Sequence, residues 1–304
     1  MVGRRSDRVR RGSARPTAPR TVRPTARDGY PLEASHHPGH GPGRDRGSDA
    51  VVVAGATGVK RSFYDAFARF LAGQGLDVVT LDYRGIGGSR PKAMRGFHAT
   101  MRQWGELDLD AALRWTLREL EPDRLLVVGH SVGGQLLGHA SAADEVAAAY
   151  LVGSQSGYWR HWPTSGRFGI FTLWHLLIPA LSRPMGYFPS PWFGLGQDLP
   201  SGVARQWAHW GRHPDYLLRD GDEVRRRYGR IRAPVVATAI AGDRFAPEAS
   251  VRALLEMYPN AQRRLALEGD VGHFQWFKAR NEALWRGASD WLADPTRPLG
   301  QPYP

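Results

Sequence analysis

The sequence contains no cysteine, which excludes disulfides, thiolate nucleophiles and cysteine-ligated metals. It also lacks a long apolar run. A membrane-spanning helix needs roughly 18 consecutive apolar residues, and the longest candidate, Ile170 to Leu181, is interrupted by His175 and Pro179. Acidic residues are scarce as well: 41 lysines and arginines face 29 aspartates and glutamates, a net charge of +12 over 304 residues. Such a balance raises nucleic acid or an anionic surface as partners. The distribution of the charge argues otherwise. The first 48 residues hold eleven arginines against four acids, so +7 of the +12 sits there and the remainder of the chain carries only +5.

Residues 1–27 are rich in Arg, Pro, Thr and Ser and almost free of large apolar side chains. They bury too little surface to offset the entropy of ordering, and the stretch is expected to be a disordered tail. Its Arg4-Arg5 pair is not followed by the apolar segment of a twin-arginine export signal. An arginine-rich, acid-poor start is also similar to an organelle transit peptide, but the default expectation is a cytoplasmic protein with no transmembrane segment. Further along, Arg225-Arg226-Arg227 is the one basic cluster. No zinc, helix-turn-helix or RNA-binding signature accompanies it, so it reads as a solvated helix face and no specific nucleic-acid partner is expected. His36, His37 and His40 lack acidic neighbours at ligand spacing, and no metal is expected there.

After a turn at Asp28-Gly29-Tyr30 that leads into a short strand, a regular alternation begins at residue 51. Apolar runs predict strands at Val51–Ala54, Val78–Tyr83, Arg124–Gly129, Ala148–Gly153, Pro234–Ile240 and Arg263–Leu267. Helical spacing falls between them at Phe63–Ala72, Trp104–Leu120, Gln135–Ala143 and Glu248–Tyr258, and after the last strand at Trp276–Ala293. Strands alternating with helices imply right-handed crossovers and a mostly parallel sheet with helices on both faces, an α/β fold. Ligands of such sheets bind at the carboxyl ends of the strands. The alternation stops over 154–230, where six of the eleven tryptophans gather among many prolines. That span is too long for a connection and predicts an inserted, mainly helical cap between the core segments 28–153 and 231–304.

The strongest chemical signal is Gly129-His130-Ser131-Val132-Gly133-Gly134, directly after one predicted strand and before a helix. A G-x-S-x-G in that context is a nucleophile elbow, whose glycines keep Cβ atoms out of a tight strand-to-helix turn. Serine alone is a poor nucleophile and needs a base held by a third group. Asp243 follows the next-to-last strand, and His273 follows the last, within Gly269-Asp270-Val271-Gly272-His273-Phe274. Both therefore fall at the sheet edge where Ser131 falls. Asp270 competes with Asp243, but it is so close to His273 in sequence that a local turn suits it better. An oxyanion needs two N–H donors. Val132, at the helix start, supplies one, and the loop Gly55-Ala56-Thr57-Gly58 the other, with Ala56 the first choice and Thr57 the fallback.

The same loop follows Val51-Val52-Val53-Ala54 and looks at first like a dinucleotide-binding turn, with Asp82 as the acid some twenty residues on. The further glycine of that fingerprint is replaced by Arg61, and the reading leaves Ser131, Asp243 and His273 unexplained. A phosphate-binding loop fails too, because Lys60 follows Val59 instead of glycine.

Taken together, the turn at Gly55-Ala56, the segment Asp82 to Ser89, the elbow at Ser131, Asp243 and His273 resemble the α/β-hydrolase family over about residues 28–293. The Gly-His-Ser-x-Gly-Gly elbow and aromatic insertion are similar to those of a group of bacterial hydrolases. The resemblance implies an eight-stranded sheet with a cap entering after the sixth strand. Two departures stand out: Ala54-Gly55 replaces the His-Gly of many members, and the first two strands are barely legible between Tyr30 and Asp49. The function expected is a serine hydrolase cleaving a carboxylic ester or related acyl compound, without cofactor or metal, on a small and apolar substrate. An acyltransferase using the same triad, or a silent binding protein on the same scaffold, are the alternatives.

Overall fold

The computed structural model describes residues 18–41 and 48–296. Its centre is an eight-stranded sheet in the order β1-β2-β4-β3-β5-β6-β9-β10. The strands are β1 (Arg20–Val22), β2 (Glu33–His37), β3 (Ala50–Ala54), β4 (Asp77–Asp82), β5 (Leu125–His130), β6 (Val146–Val152), β9 (Pro234–Ile240) and β10 (Gln262–Glu268). From β4 to β10 all neighbours run parallel, while β2 pairs antiparallel with both β4 and β1. A separate two-stranded hairpin joins β7 (Tyr187–Phe188) to β8 (Leu199–Pro200).

The near-continuous apolar runs follow from burial on two faces. Successive side chains alternate, so Val52 and Ala54 of β3 enter one core while Val51 and Val53 enter the other. Helix α1 (Asp65–Gly73) and helix α10 (Glu282–Ala293) cover the second face through Phe67, Leu71, Trp285 and Leu292. Helix α3 (Asp110–Leu120) and helix α9 (Glu248–Leu255) cover the first through Leu113, Val251 and Leu254. Each fully buried Val or Leu contributes about 1.5–3 kcal/mol.

Two helices differ from their sequence expectation. The stretch expected to be helical over Gln135–Ala143 forms only one α turn, α4 (Val132–Gln135), followed by 3-10 turns at Leu137–His139 and Ser141–Glu145. Glycines at 133, 134 and 138 weaken the helix, and close packing, with the Tyr228 ring against Gly138, holds the backbone in that irregular path. The helix before α3 begins earlier than expected, at α2 (Met101–Gln103), behind a capping box of Thr100 and Gln103. It then widens into a π turn over Trp104–Leu109.

The expectation of a disordered 1–27 is corrected over its last ten residues. Arg20–Val22 pairs with β2 by its backbone, a bond that needs no apolar side chains. Ala26 and Leu32 pack with Ala111, and the Asp28 carboxylate accepts from Arg84 Nη1 at 2.6 Å. The first strand thus lies outside the Tyr30–Asp49 interval searched for it. Residues 1–17, with the Arg4-Arg5 pair, lie outside the described residues.

Between β6 and β9 the chain forms α5 (Thr164–Thr172), a π turn at Leu173–Leu177, α6 (Ile178–Met185), the β7–β8 hairpin, α7 (Ser201–Gly211) and α8 (Asp222–Arg230). Trp174 and Trp210 are buried there, whereas Trp192 is exposed. The Arg225–Arg227 cluster lies on α8 and is engaged in ion pairs: Arg225 with Asp215 at 2.8 Å, Arg226 with Glu223 at 2.8 Å, and Arg227 with Glu106 at 2.6 Å.

Arg84 ties the first strands to the sheet. Its Nε donates to Asp108 Oδ1 at 2.7 Å and its backbone N–H to Asp108 Oδ2 at 2.8 Å, with Asp108 wholly buried. Removing Asp108 leaves the buried Arg84 with the more exposed Asp28 as its remaining carboxylate partner and its Nε and backbone N–H unbonded. Asp108→Ala is therefore expected to cost about 3–5 kcal/mol in urea unfolding. Replacing Arg84 and Asp108 together by apolar residues should cost less than the two single changes summed; strict additivity would refute the coupling.

Candidate active site

Strand β5 runs straight into the elbow. Ser131 holds φ 53° and ψ −115°, a region that side chains other than glycine rarely occupy and that is kept only where the surroundings enforce it. The surroundings do so by contact. A Cβ at Gly133 would lie 1.9 Å from the Ala54 carbonyl oxygen, and one at Gly129 would lie 2.6 Å from Gly134 Cα. The Ser131 N–H donates to the Val152 carbonyl at 3.0 Å, fixing the elbow to β6.

Asp243 and His273 meet as their sequence positions suggested. His273 Nδ1 lies 2.7 Å from Asp243 Oδ2, and both residues are buried. The other carboxylate oxygen accepts from the backbone N–H groups of Phe245 at 2.8 Å and Ala246 at 3.1 Å. The acid is thus held by three bonds, and a proton on His273 Nδ1 leaves Nε2 as the basic nitrogen. The partner of His273 is Asp243, while Asp270 packs near Gly242.

Ser131 and His273 line one cavity of about 280 Å³, together with Ala56, Thr57, Gln155, Trp162, Trp174 and Trp207. The Ser131 hydroxyl bonds Gln155 Oε1 at 3.5 Å instead of His273. A larger cavity of about 750 Å³ borders Asp243 and shares Trp162 and Arg244 with the smaller one, but Ser131 does not line it. Only the smaller one has the geometry for chemistry at the serine.

The oxyanion donors divide. The Val132 N–H, at the start of α4, has no hydrogen-bond partner among the described residues. The Ala56 N–H is committed: it donates to the Tyr64 hydroxyl at 2.7 Å. Of the two loop candidates, Ala56 therefore has its N–H engaged, whereas the Thr57 N–H has no partner among the described residues. The cause is Tyr64, a fully buried side chain eight residues on whose ring packs against Gly55. Burial holds its hydroxyl protonated, far above the ordinary tyrosine range, so it also donates to His130 Nδ1 at 2.9 Å. Burial, and then the neighbouring His273, hold His130 well below the ordinary histidine value and keep it neutral.

Sequence reading missed Tyr64, Gln135, Gln155 and Tyr216. Gln155 was the findable one, because it stands three residues beyond β6, at the carboxyl edge where ligands bind. Gln135 ends the short helix of the elbow itself, but neither it nor Tyr64 nor Tyr216 stands in a local pattern that marks its role. The dinucleotide reading also closes here: Asp82 accepts from the Arg61 N–H at 2.7 Å and the Gly88 N–H at 2.9 Å, so its oxygens are already occupied.

Comparison with known proteins bears on this arrangement. A family model described as alpha/beta hydrolase fold matches residues 51–188. Similar solved structures include an esterase of Pyrococcus furiosus, with 17% identity over 91% of this chain and 92% of that one and a TM-score of 0.57. A thermophilic esterase from Thermogutta terrifontis, malate bound, shares 15% identity over 90% and 98% of the two chains, with a TM-score of 0.57. An esterase from Exiguobacterium antarcticum shares 15% over 90% and 100%, with a TM-score of 0.59. At these identities the likeness is one of fold. Curated proteins give no match. Among the described residues no helix is long and apolar enough to cross a membrane.

The elbow contacts are testable by two glycines. Gly133→Ala is expected to cost about 3 kcal/mol or more in chemical denaturation, because the new methyl meets backbone that cannot yield. Gly287→Ala, which faces open space in α10, should instead gain about 0.5–1 kcal/mol. Equal responses at the two sites would overturn the assignment of the elbow as a close-packed turn.

Proposed function

The chain has the α/β-hydrolase fold, and from that premise we propose that it is a serine hydrolase cleaving a carboxylic ester or a related acyl compound. One observation carries the proposal: Ser131 and His273 border the same cavity, and His273 is held by Asp243 at 2.7 Å. In this reading the Ser131 hydroxyl turns from Gln155 toward His273. Its oxygen attacks the acyl carbonyl carbon as Nε2 takes its proton, and Asp243 stabilises the imidazolium. The carbonyl oxygen, now an anion, receives the N–H groups of Val132 and Thr57 at the positive end of α4. His273 returns the proton to the leaving alcohol, and Ser131 keeps the acyl group. A water then gives a proton to His273 and its oxygen to the acyl carbon, releasing the acid and restoring the serine.

The cavity favours an apolar acyl or aryl group. Ile170, Leu173 and Leu195 line it beside the three tryptophans and Phe245. Most of these belong to residues 154–230, which we assign as a cap over the core segments 28–153 and 231–304. Apolar walls exclude water and strengthen each charge interaction at the serine.

A fluorophosphonate probe tests the nucleophile. Labelling of the wild type and its loss in Ser131→Ala is the expected result, together with a fall of about 10⁴–10⁶ in kcat toward p-nitrophenyl esters for Ser131→Ala or His273→Ala. Folded wild type that takes no label would sink the proposal. Across a series of acyl lengths the rate should rise from acetate to medium chains; a preference for acetate would count against the apolar cap.

A further inference from the structure

The walls of the cavity present almost no hydrogen-bonding groups. All three tryptophans have their indole N–H groups taken up by protein acceptors: Trp162 by the Arg244 carbonyl at 2.8 Å, Trp174 by the Gly157 carbonyl at 2.9 Å, and Trp207 by the Tyr216 hydroxyl at 3.0 Å. Polar capacity gathers at the floor around Ser131. There Thr57 Oγ1 is buried without a partner among the described residues, and Gln155 faces the serine.

The orientation of the Gln155 amide is fixed from both ends of a bonded chain. At one end stands the Phe245 carbonyl, which can only accept, so Gln155 Nε2 donates to it at 3.1 Å and Oε1 turns toward Ser131. At the other end stands the Trp207 indole, which can only donate. Tyr216, having accepted from it, donates to Gln135 Oε1 at 2.7 Å. That leaves Gln135 Nε2 to donate to Gln155 Oε1 at 3.0 Å. Both routes give one answer. Gln155 offers the serine side of the cavity an acceptor and no donor.

In the resting protein the Ser131 hydroxyl supplies that acceptor with a proton. That bond is given up as the hydroxyl turns to His273, and attack then leaves the serine oxygen bonded to carbon with no proton to offer. Gln155 Oε1 then keeps the bond from Gln135 Nε2 but turns its other lone pair toward a cavity lined mainly by apolar side chains, where a substrate donor gains a hydrogen bond. A plain alkyl ester brings only acceptor oxygens. We infer that Gln155 is a specificity-determining residue, whose Oε1 receives a hydroxyl or amide N–H carried on the acyl carbon next to the scissile carbonyl. The substrate class is thus esters of α-hydroxy or α-acylamino acids with an apolar tail. This inference rests on the serine-hydrolase reading above. The same lone pair repels the oxyanion and directs it toward Val132 and Thr57.

The test compares methyl hexanoate with methyl α-hydroxyhexanoate. Intrinsic reactivity cancels when the ratio of their kcat/KM values is compared between proteins. Gln155→Met should lower the hydroxy-to-plain ratio about tenfold relative to wild type. Gln155→Glu should keep the ratio within about threefold, since a protonated carboxyl still donates to Phe245 and retains an acceptor oxygen. If Gln155→Met does not fold, the double variant Gln135→Leu/Gln155→Leu removes both amides together and reads the same ratio. An identical ratio in the wild type and the acceptor-less variant overturns the inference.

Binding separates this from the triad. In Ser131→Ala, quenching of tryptophan fluorescence reports both esters without turnover, and the hydroxy ester should bind about tenfold tighter. That advantage should vanish when Gln155→Met is added. Preferential binding by a protein that neither hydrolyses nor takes a fluorophosphonate label would remove the triad and leave Gln155 standing. Hydrolysis with no hydroxyl preference would do the reverse.

Discussion

The arrangement around Ser131 depends on one steric constraint, the near contact of Gly133 with the Ala54 carbonyl. That contact brings the start of α4 against the end of β3, and the contact of Gly129 with Gly134 folds the elbow onto itself. Together they force Ser131 into its positive-φ conformation and lift its side chain above the sheet edge. Everything the site needs is then placed by neighbours in the sheet. β3 brings Thr57, β6 brings Gln155, β9 brings Asp243 and β10 brings His273. The order of the sheet, with β3, β5, β6 and β9 adjacent, is what turns five distant sequence positions into one cluster.

A second constraint is the need of buried polar groups for partners. It accounts for the division of labour in the cavity. The N–H groups of Trp162, Trp174 and Trp207 are bonded to protein acceptors, so these insertion residues give the cavity mainly apolar surface. Polar contacts are concentrated at the floor. The chain from Trp207 through Tyr216 and Gln135 to Gln155 runs from the insertion to the nucleophile, which makes the packing of the helical insertion and the state of the serine parts of one bonded system. Tyr64 plays a corresponding part, bonding the Ala56 N–H and His130 Nδ1 at once.

The arginine content resolves in the same physical terms. Several arginines of the folded part are paired with carboxylates, as at Arg84 with Asp28 and Asp108, or Arg61 with Asp82 and Glu33. These pairs hold β1, β2 and the loop after β4 to the sheet. The basic balance of the opening residues therefore says little about a partner for the folded chain, and some of those residues, from Arg20 onward, take part in the fold.

The sequence by itself determined the alternating architecture, the elbow at Ser131 and the positions of Asp243 and His273. Each of these is a local pattern: apolar runs of strand length, glycines flanking a serine, and a histidine or aspartate just past a strand. Strand β1 was illegible because backbone pairing leaves no mark on composition, and its polar Arg20 and Thr21 read as tail. That the Ala56 N–H is bonded and the Thr57 N–H is not, and the hydrogen bonds of Tyr64, Gln135, Gln155 and Tyr216, were set only by the tertiary structure. Which N–H is already bonded, and which way an amide must face, depends on groups separated by up to ninety residues in the chain. No local pattern carries that, because hydrogen-bond satisfaction is a property of the packed whole.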